Sequence, residues 1–201
     1  MKFIKDNSYD IVKLFVNQIG ITIFSLVLYT AVGSIGDEAT MLKVRVLLSV
    51  FSCIFYFALI YCASWDFGAR DIIRVEGGKI DNKPAKGALI SLVSNSPNFV
   101  LAAVSIVSML IYIFSENQSA FRLFAGFNLL LRFLNAMFIG ALQGIFSFMQ
   151  NDQNGYYLWQ SVGFFAAPFL TVLFSHLGYT LGLKNYKLFG FLMPNRSNSK
   201  K

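Results

Sequence analysis

A chain of 201 residues that is 56% hydrophobic and only 13% charged, with 22 phenylalanines, carries more apolar surface than a globule of its size can hide, and it is not a disordered chain. Its net charge of +7 would point to nucleic acid in a soluble protein, but the basic residues fall between apolar runs, where they set orientation and meet anionic headgroups, so no nucleic-acid partner is expected. Two cysteines and one histidine leave no set suited to a zinc or thiol redox site, so neither metal nor cofactor is expected.

The composition implies an all-α, polytopic integral membrane helix bundle built as a single membrane domain. Five hydrophobic segments, at about residues 14–35, 46–64, 87–114, 120–150 and 157–182, imply five or six membrane helices.

Lys2, Lys5 and Lys13 flank the first segment. Ala31-Val32-Gly33 imitates a signal-peptide cleavage site, but the apolar stretch is long and carries Asn17 and Gln18, which favours a retained helix. Gln18, Thr22, Ser25 and Tyr29 share one helix face, as do Ser49, Ser52, Cys53 and Tyr56 in the second segment. Cys53 and Cys62 lie about 13 Å apart along that helix and cannot bridge.

The connection at residues 65–86 carries Arg70, Arg74, Lys79, Lys83 and Lys86. The positive-inside rule makes it cytoplasmic, together with the N-terminus, and places Asp37-Glu38 outside. Asp66, Arg70 and Arg74 recur every four residues beside Asp71, a spacing for ion pairs on a helix that Gly77-Gly78 would end. Trp65, Asp66, Arg70, Asp71 and Arg74 are therefore candidates for docking a partner, or for a solvated helix end anchored by Trp65 at the interface.

In the third segment Ser91, Ser94, Asn95, Asn98, Ala102 and Ser105 share a face, and Asn95-Ser96-Pro97-Asn98 predicts a break, read as an entrance kink. The fourth segment would be about 45 Å long as a straight helix, against a hydrocarbon core of ~30 Å. It carries Asn128, Arg132 and Asn135 on one face. The basic tail at 183–201, with Lys184, Lys187, Arg196, Lys200 and Lys201, belongs inside by the charge rule, yet five simple crossings would leave it outside. Either the rule fails at the tail, or the fourth segment breaks into two helices or a re-entrant hairpin; its flanks at 115–119 and 151–155, poor in Lys and Arg, suit two outside loops. In the fifth segment Ser161, Pro168, Thr171, Ser175 and Tyr179 align, and His176 is expected to bond a backbone carbonyl.

Lipid cannot hydrogen-bond these polar faces, so they should turn inward, to line a ligand cavity or to join helices. Ser94, Asn95, Asn98, Asn128, Arg132 and Asn135 are the ligand-binding candidates. Arg132 is the sharpest, because the apolar segments hold no acid to pair with it. Its partner would be an anionic ligand, a lipid phosphate or helix-end carbonyls, unless it lies near an interface and snorkels. No P-loop, HExxH, GxSxG or intramembrane carboxylate pair occurs, so no catalytic residue is assigned and an enzyme is not expected.

The expected function is that of a small multi-pass membrane protein, a non-energised subunit that binds or helps move a small molecule or lipid. The alternative is an interaction or scaffold protein docking a partner through its basic cytoplasmic loop. Expected partners are membrane lipids, with a small-molecule ligand and a protein partner or second copy of the chain as further candidates. The abundance of Lys, Asn, Ile and Phe suits an AT-rich bacterial genome, and hence the bacterial plasma membrane with a cytoplasmic N-terminus.

Overall fold

A computed structural model describes residues 2–32, 38–81, 83–149 and 152–188. Gly33, Asp37, Gln150, Asn151 and the tail residues Arg196, Lys200 and Lys201, all named above, lie outside the described residues. The described chain is helical: α1 (Lys2–Asp6), α2 (Ser8–Val32), α3 (Glu38–Glu76), α4 (Lys86–Ser94), α5 (Ser96–Ser115), α6 (Gln118–Leu134), α7 (Ala136–Ile145), a 3-10 turn at Ser147–Met149 and α8 (Gln153–Leu183). Spans within α2, α3, α5 and α8 are long and apolar enough to cross a membrane, and α6 with α7 pass the same test as a bent pair.

The apolar segment that ends at residue 64 and the charged stretch after it form one helix: α3 continues for three more turns to Glu76 and is 39 residues long, about 58 Å. No breaker interrupts it until Gly77-Gly78, where Gly78 takes a left-handed φ of +67°. The N–H groups of Gly78 and Lys79 then return to the carbonyls of Val75 and Arg74, both at 2.9 Å, closing a Schellman cap.

The third segment is interrupted at Asn95, as its sequence predicts. α4 has nine residues, Asn95 is buried about 13 Å into the segment, and α5 begins at Ser96 as a helix long and apolar enough to cross a membrane by itself. Pro97 occupies the first turn of α5, where a missing N–H leaves nothing unpaired.

The fourth segment breaks at Asn135, and the chain bends there by 110°. α6 descends beside α5: Tyr112 meets Phe121 at 4.9 Å between ring centres near their junction, and Asn98 bonds Asn135 at the far end. α7 then climbs back along α3, from Ser49 and Cys53 beside Met137 to Arg45 beside Gly140. Both arms flank the first turns of α8, with Phe124 against Tyr157 on one side and Phe146 against Trp159 on the other. The pair is therefore a re-entrant hairpin that enters and leaves at one end of the bundle.

With both ends of the hairpin at one end of the bundle, the start of α2 and the end of α8 lie together at the other. α3 and α8 run parallel and touch backbone to backbone: a Cβ on Gly182 would lie 2.2 Å from the Trp65 carbonyl oxygen, and one on Gly68 would lie 2.2 Å from that of Tyr179. Small residues permit this approach between membrane helices. The start of α2 and the end of α8 meet at one end of the bundle, where Arg70 bonds Asp10 and Trp65 bonds the Tyr186 carbonyl. The polar faces of all the segments turn inward, and the outward face is apolar, with Leu47, Ile54, Val100, Leu129, Phe133 and Leu173 exposed.

Cysteine labelling checks this topology. With Cys53 and Cys62 replaced by serine, Gln118→Cys and Asn154→Cys are expected to react with an impermeant maleimide from the same side of a sealed vesicle, and Lys79→Cys from the opposite side. Labelling of positions 118 and 154 from opposite sides would make the fourth segment a crossing.

Candidate functional site: a bonded hairpin turn and an unpaired arginine

The break at Asn135 frees backbone carbonyls at the end of α6 in the middle of the bundle, and side chains of α2, α3 and α5 bond the turn around it. The Leu134 carbonyl accepts from Gln18 Nε2 at 3.2 Å and Thr22 Oγ1 at 2.8 Å. The Met137 carbonyl accepts from Ser49 Oγ and from Cys53 Sγ at 3.3 Å. Asn135 Nδ2 donates to Asn98 Oδ1 at 3.2 Å, and its own Oδ1 lies 3.5 Å from Gln18 Nε2. Asn98 Nδ2 continues to Asn95 Oδ1 at 3.2 Å, and Asn95 Nδ2 to the Ser91 carbonyl at 2.9 Å. On α7 the Gly140 N–H donates to the Tyr29 hydroxyl at 2.9 Å.

The six ligand-binding candidates are thus divided. Asn95, Asn98 and Asn135 come together, at no more than 2% exposure, and their amides bond one another and the backbone. Ser94 is buried beside this chain on α4. Asn128 belongs to a second cluster, donating to Ser161 Oγ at 3.3 Å, which also lies 3.0 Å from Ser105 Oγ. Arg132 is held apart from both. Gln18, Thr22, Ser49 and Cys53 stood out only as stripes; that they serve the hairpin depends on helix order.

Arg132, in the last turn of α6, is half-buried. One guanidinium NH₂ donates to Gln160 Oε1, and the guanidinium carbon sits 5.9 Å from the centre of the Tyr157 ring. Gln160 Nε2 faces the Tyr156 hydroxyl at 3.4 Å. Arg132 Nε is buried with no acceptor, and no carboxylate pairs with the side chain among the described residues. Gln160, Tyr156 and Tyr157 escaped the sequence reading. A glutamine beside the Ser161 face of an apolar helix was the available signal.

At the opposite end, the docking candidates tie the bundle together. Trp65 is buried, donates Nε1–H to the Tyr186 carbonyl at 2.9 Å and lies under Lys187. Arg70 bonds Asp10 at 2.7 Å, lies 3.5 Å from Asp66 and covers the Phe67 ring, while Lys13 lies 3.7 Å from Asp66. Asp71 is buried and accepts from Lys86 Nζ at 2.6 Å and from the Tyr179 hydroxyl at 2.8 Å. Arg74 is 62% exposed, 3.7 Å from Asp71. His176, expected to bond a backbone carbonyl, leaves its Nδ1 buried without a partner.

No family model, no curated protein and no solved structure matches this chain.

Substitutions at Asn135 and Lys86 test the hairpin turn and the charged end. Asn135→Leu leaves Asn98 Oδ1 without its donor, while Gln18 keeps the Leu134 carbonyl, and is expected to cost about 1–3 kcal/mol. Ser25→Ala, which loses only a bond to Ile21 in its own helix, should cost no more than about 0.6 kcal/mol; reversible denaturation in mixed micelles compares them. Lys86→Met leaves Asp71 buried without its closest cation and should cost about 3–5 kcal/mol. Adding Asp71→Asn should recover part of that loss in the same assay.

Proposed function

We propose that the protein is a non-energised membrane subunit that binds, or helps move, a small molecule or lipid, with Arg132 as the contact for its anionic group. One observation carries this reading: Arg132 is a cation inside an apolar segment with a buried, unused Nε–H donor and no carboxylate partner among the described residues. A donor left unsatisfied in an apolar medium costs roughly 1–3 kcal/mol, more when charged, and a phosphate or carboxylate would satisfy it with a charge-assisted bond. Gln160 and the Tyr157 ring hold the guanidinium in place, so little freedom is lost on binding.

On this reading the chain makes and breaks no covalent bonds, and the residues around the hairpin turn hold the frame that positions Arg132. The end bearing Lys13, Arg70, Arg74, Lys83, Lys86, Lys184 and Lys187 faces the cytoplasm, against Lys43, Arg45 and Arg122 towards the other end. Arg132 then lies in the outer half of a bacterial plasma membrane. Docking of a partner through residues 65–74 has less support, since four of the five candidate side chains are committed to bonds within the bundle.

The test is native mass spectrometry of the purified chain titrated with phosphatidylglycerol. Arg132→Ala is expected to weaken retention about tenfold or more, the equivalent of a charged hydrogen bond worth at least ~1.4 kcal/mol, and Arg132→Lys to weaken it less. Equal retention by the parent chain and the alanine variant would remove Arg132 from the function.

A further inference from the structure

A cleft of about 870 Å³ opens at the charged end, away from Arg132. Its volume falls in the ~300–1,000 Å³ range of small-ligand sites. Phe3, Asp6 and Asn7 form one wall, Arg74 at the end of α3 a second, and the connection into α4, with Ile80, Asp81, Lys83 and Lys86, the third.

The charges around it are balanced. Lys86 is neutralised by Asp71, 2.6 Å away beneath the cleft. Arg74 lies 3.7 Å from the same carboxylate, which Lys86 and Tyr179 already engage. Lys83 lies 3.7 Å from Asp81, with side chains 71% and 87% exposed. Asp6 is in no ion pair among the described residues. The exposed Lys83–Asp81 pair contributes little, so exchanging it for a ligand's groups is nearly free, and Arg74 is the more distant of the two cations on Asp71. A ligand finds two cations, Arg74 and Lys83, and two carboxylates, Asp6 and Asp81. Apolar side chains complete the lining, and the half-exposed Leu89 carries that surface onto the outer face of α4.

We infer that this cleft binds a zwitterion, its phosphate on Arg74 and Lys83 and its ammonium on Asp6 and Asp81. A single-sign anion would meet the two carboxylates, and a simple cation would meet Arg74 and Lys83. The same chemistry belongs to the headgroup of an aminophospholipid and to a free amino phosphate. The cleft stands at the charged end of the bundle, with Leu89 in its lining, where either has access.

The experiment uses the full chain carrying Arg132→Ala, so that anion binding at that residue does not contribute. Native mass spectrometry from micelles compares phosphatidylethanolamine, phosphatidylglycerol and free phosphoethanolamine at equal concentration. The zwitterionic probes are expected to be retained over phosphatidylglycerol by at least fivefold. Arg74→Ala with Lys83→Ala should lower their retention at least tenfold. Asp6→Asn with Asp81→Asn should reverse the preference towards phosphatidylglycerol, an outcome that general loss of structure does not produce. Retention of phosphoethanolamine as well as the lipid assigns a free zwitterion; retention of the lipid alone assigns a headgroup site. Equal retention of phosphatidylethanolamine and phosphatidylglycerol by the Arg132→Ala chain, or zwitterion binding unchanged when Arg74→Ala and Lys83→Ala are added to it, would overturn the assignment.

Discussion

A backbone carbonyl released by a helix break in an apolar medium must find a donor on a neighbouring helix, because no water is there to serve it. The break at Asn135 places that demand at the centre of this bundle, and the interior is arranged to meet it. Gln18 and Thr22 of α2 bond the freed Leu134 carbonyl, Ser49 and Cys53 of α3 fasten the first turn of α7 at the Met137 carbonyl, and Asn98 of α5 bonds the Asn135 side-chain amide. Three polar faces that look like separate stripes converge on one turn. A packed core of apolar side chains could hold a straight helix, but it could not hold this hairpin.

The hairpin in turn governs the rest of the architecture. It fills one half of the bundle between α5 and α3 and returns the chain to the end from which it came, so that α8 runs parallel to α3. Beyond the hairpin α3 and α8 close on each other, and Gly68, Gly178 and Gly182 let their backbones touch. That contact brings Tyr179 within reach of Asp71, which also holds Lys86 at the start of α4. One end of the bundle is thus bound by charge and the other by the hairpin. Arg132 lies with the hairpin, on Gln160 near the start of α8, and the cleft lies with the charges.

How much of this was legible depends on the range of each interaction. The end of α3 was readable because Gly77-Gly78 caps a helix through local bonds. The interruption at Asn95 was readable because proline is local in its effect, but its partner was not, since Asn98 reaches Asn135 thirty-seven residues away. The excess length of the fourth segment and the charge of the tail together left three readings open: five crossings with the charge rule failing at the tail, a break into two helices, or a hairpin. Trp65 and Asp71 looked like surface residues beside a charged connection, and they are buried because the end of α8 and the start of α4 fold over them.

The amino-acid sequence by itself determined the class of structure: so much apolar surface, in runs of bilayer length, has a stable home only as helices in lipid. It also determined which faces turn inward, because helical periodicity is a local property and lipid offers polar groups no partner. The tertiary structure alone decided what those faces do. Asn98 and Asn135 bond each other while Arg132, three residues before Asn135, keeps an unused donor, because the bend at Asn135 turns neighbouring side chains towards different helices. Partners fixed by the packing of distant helices leave no trace in the spacing of residues along one of them.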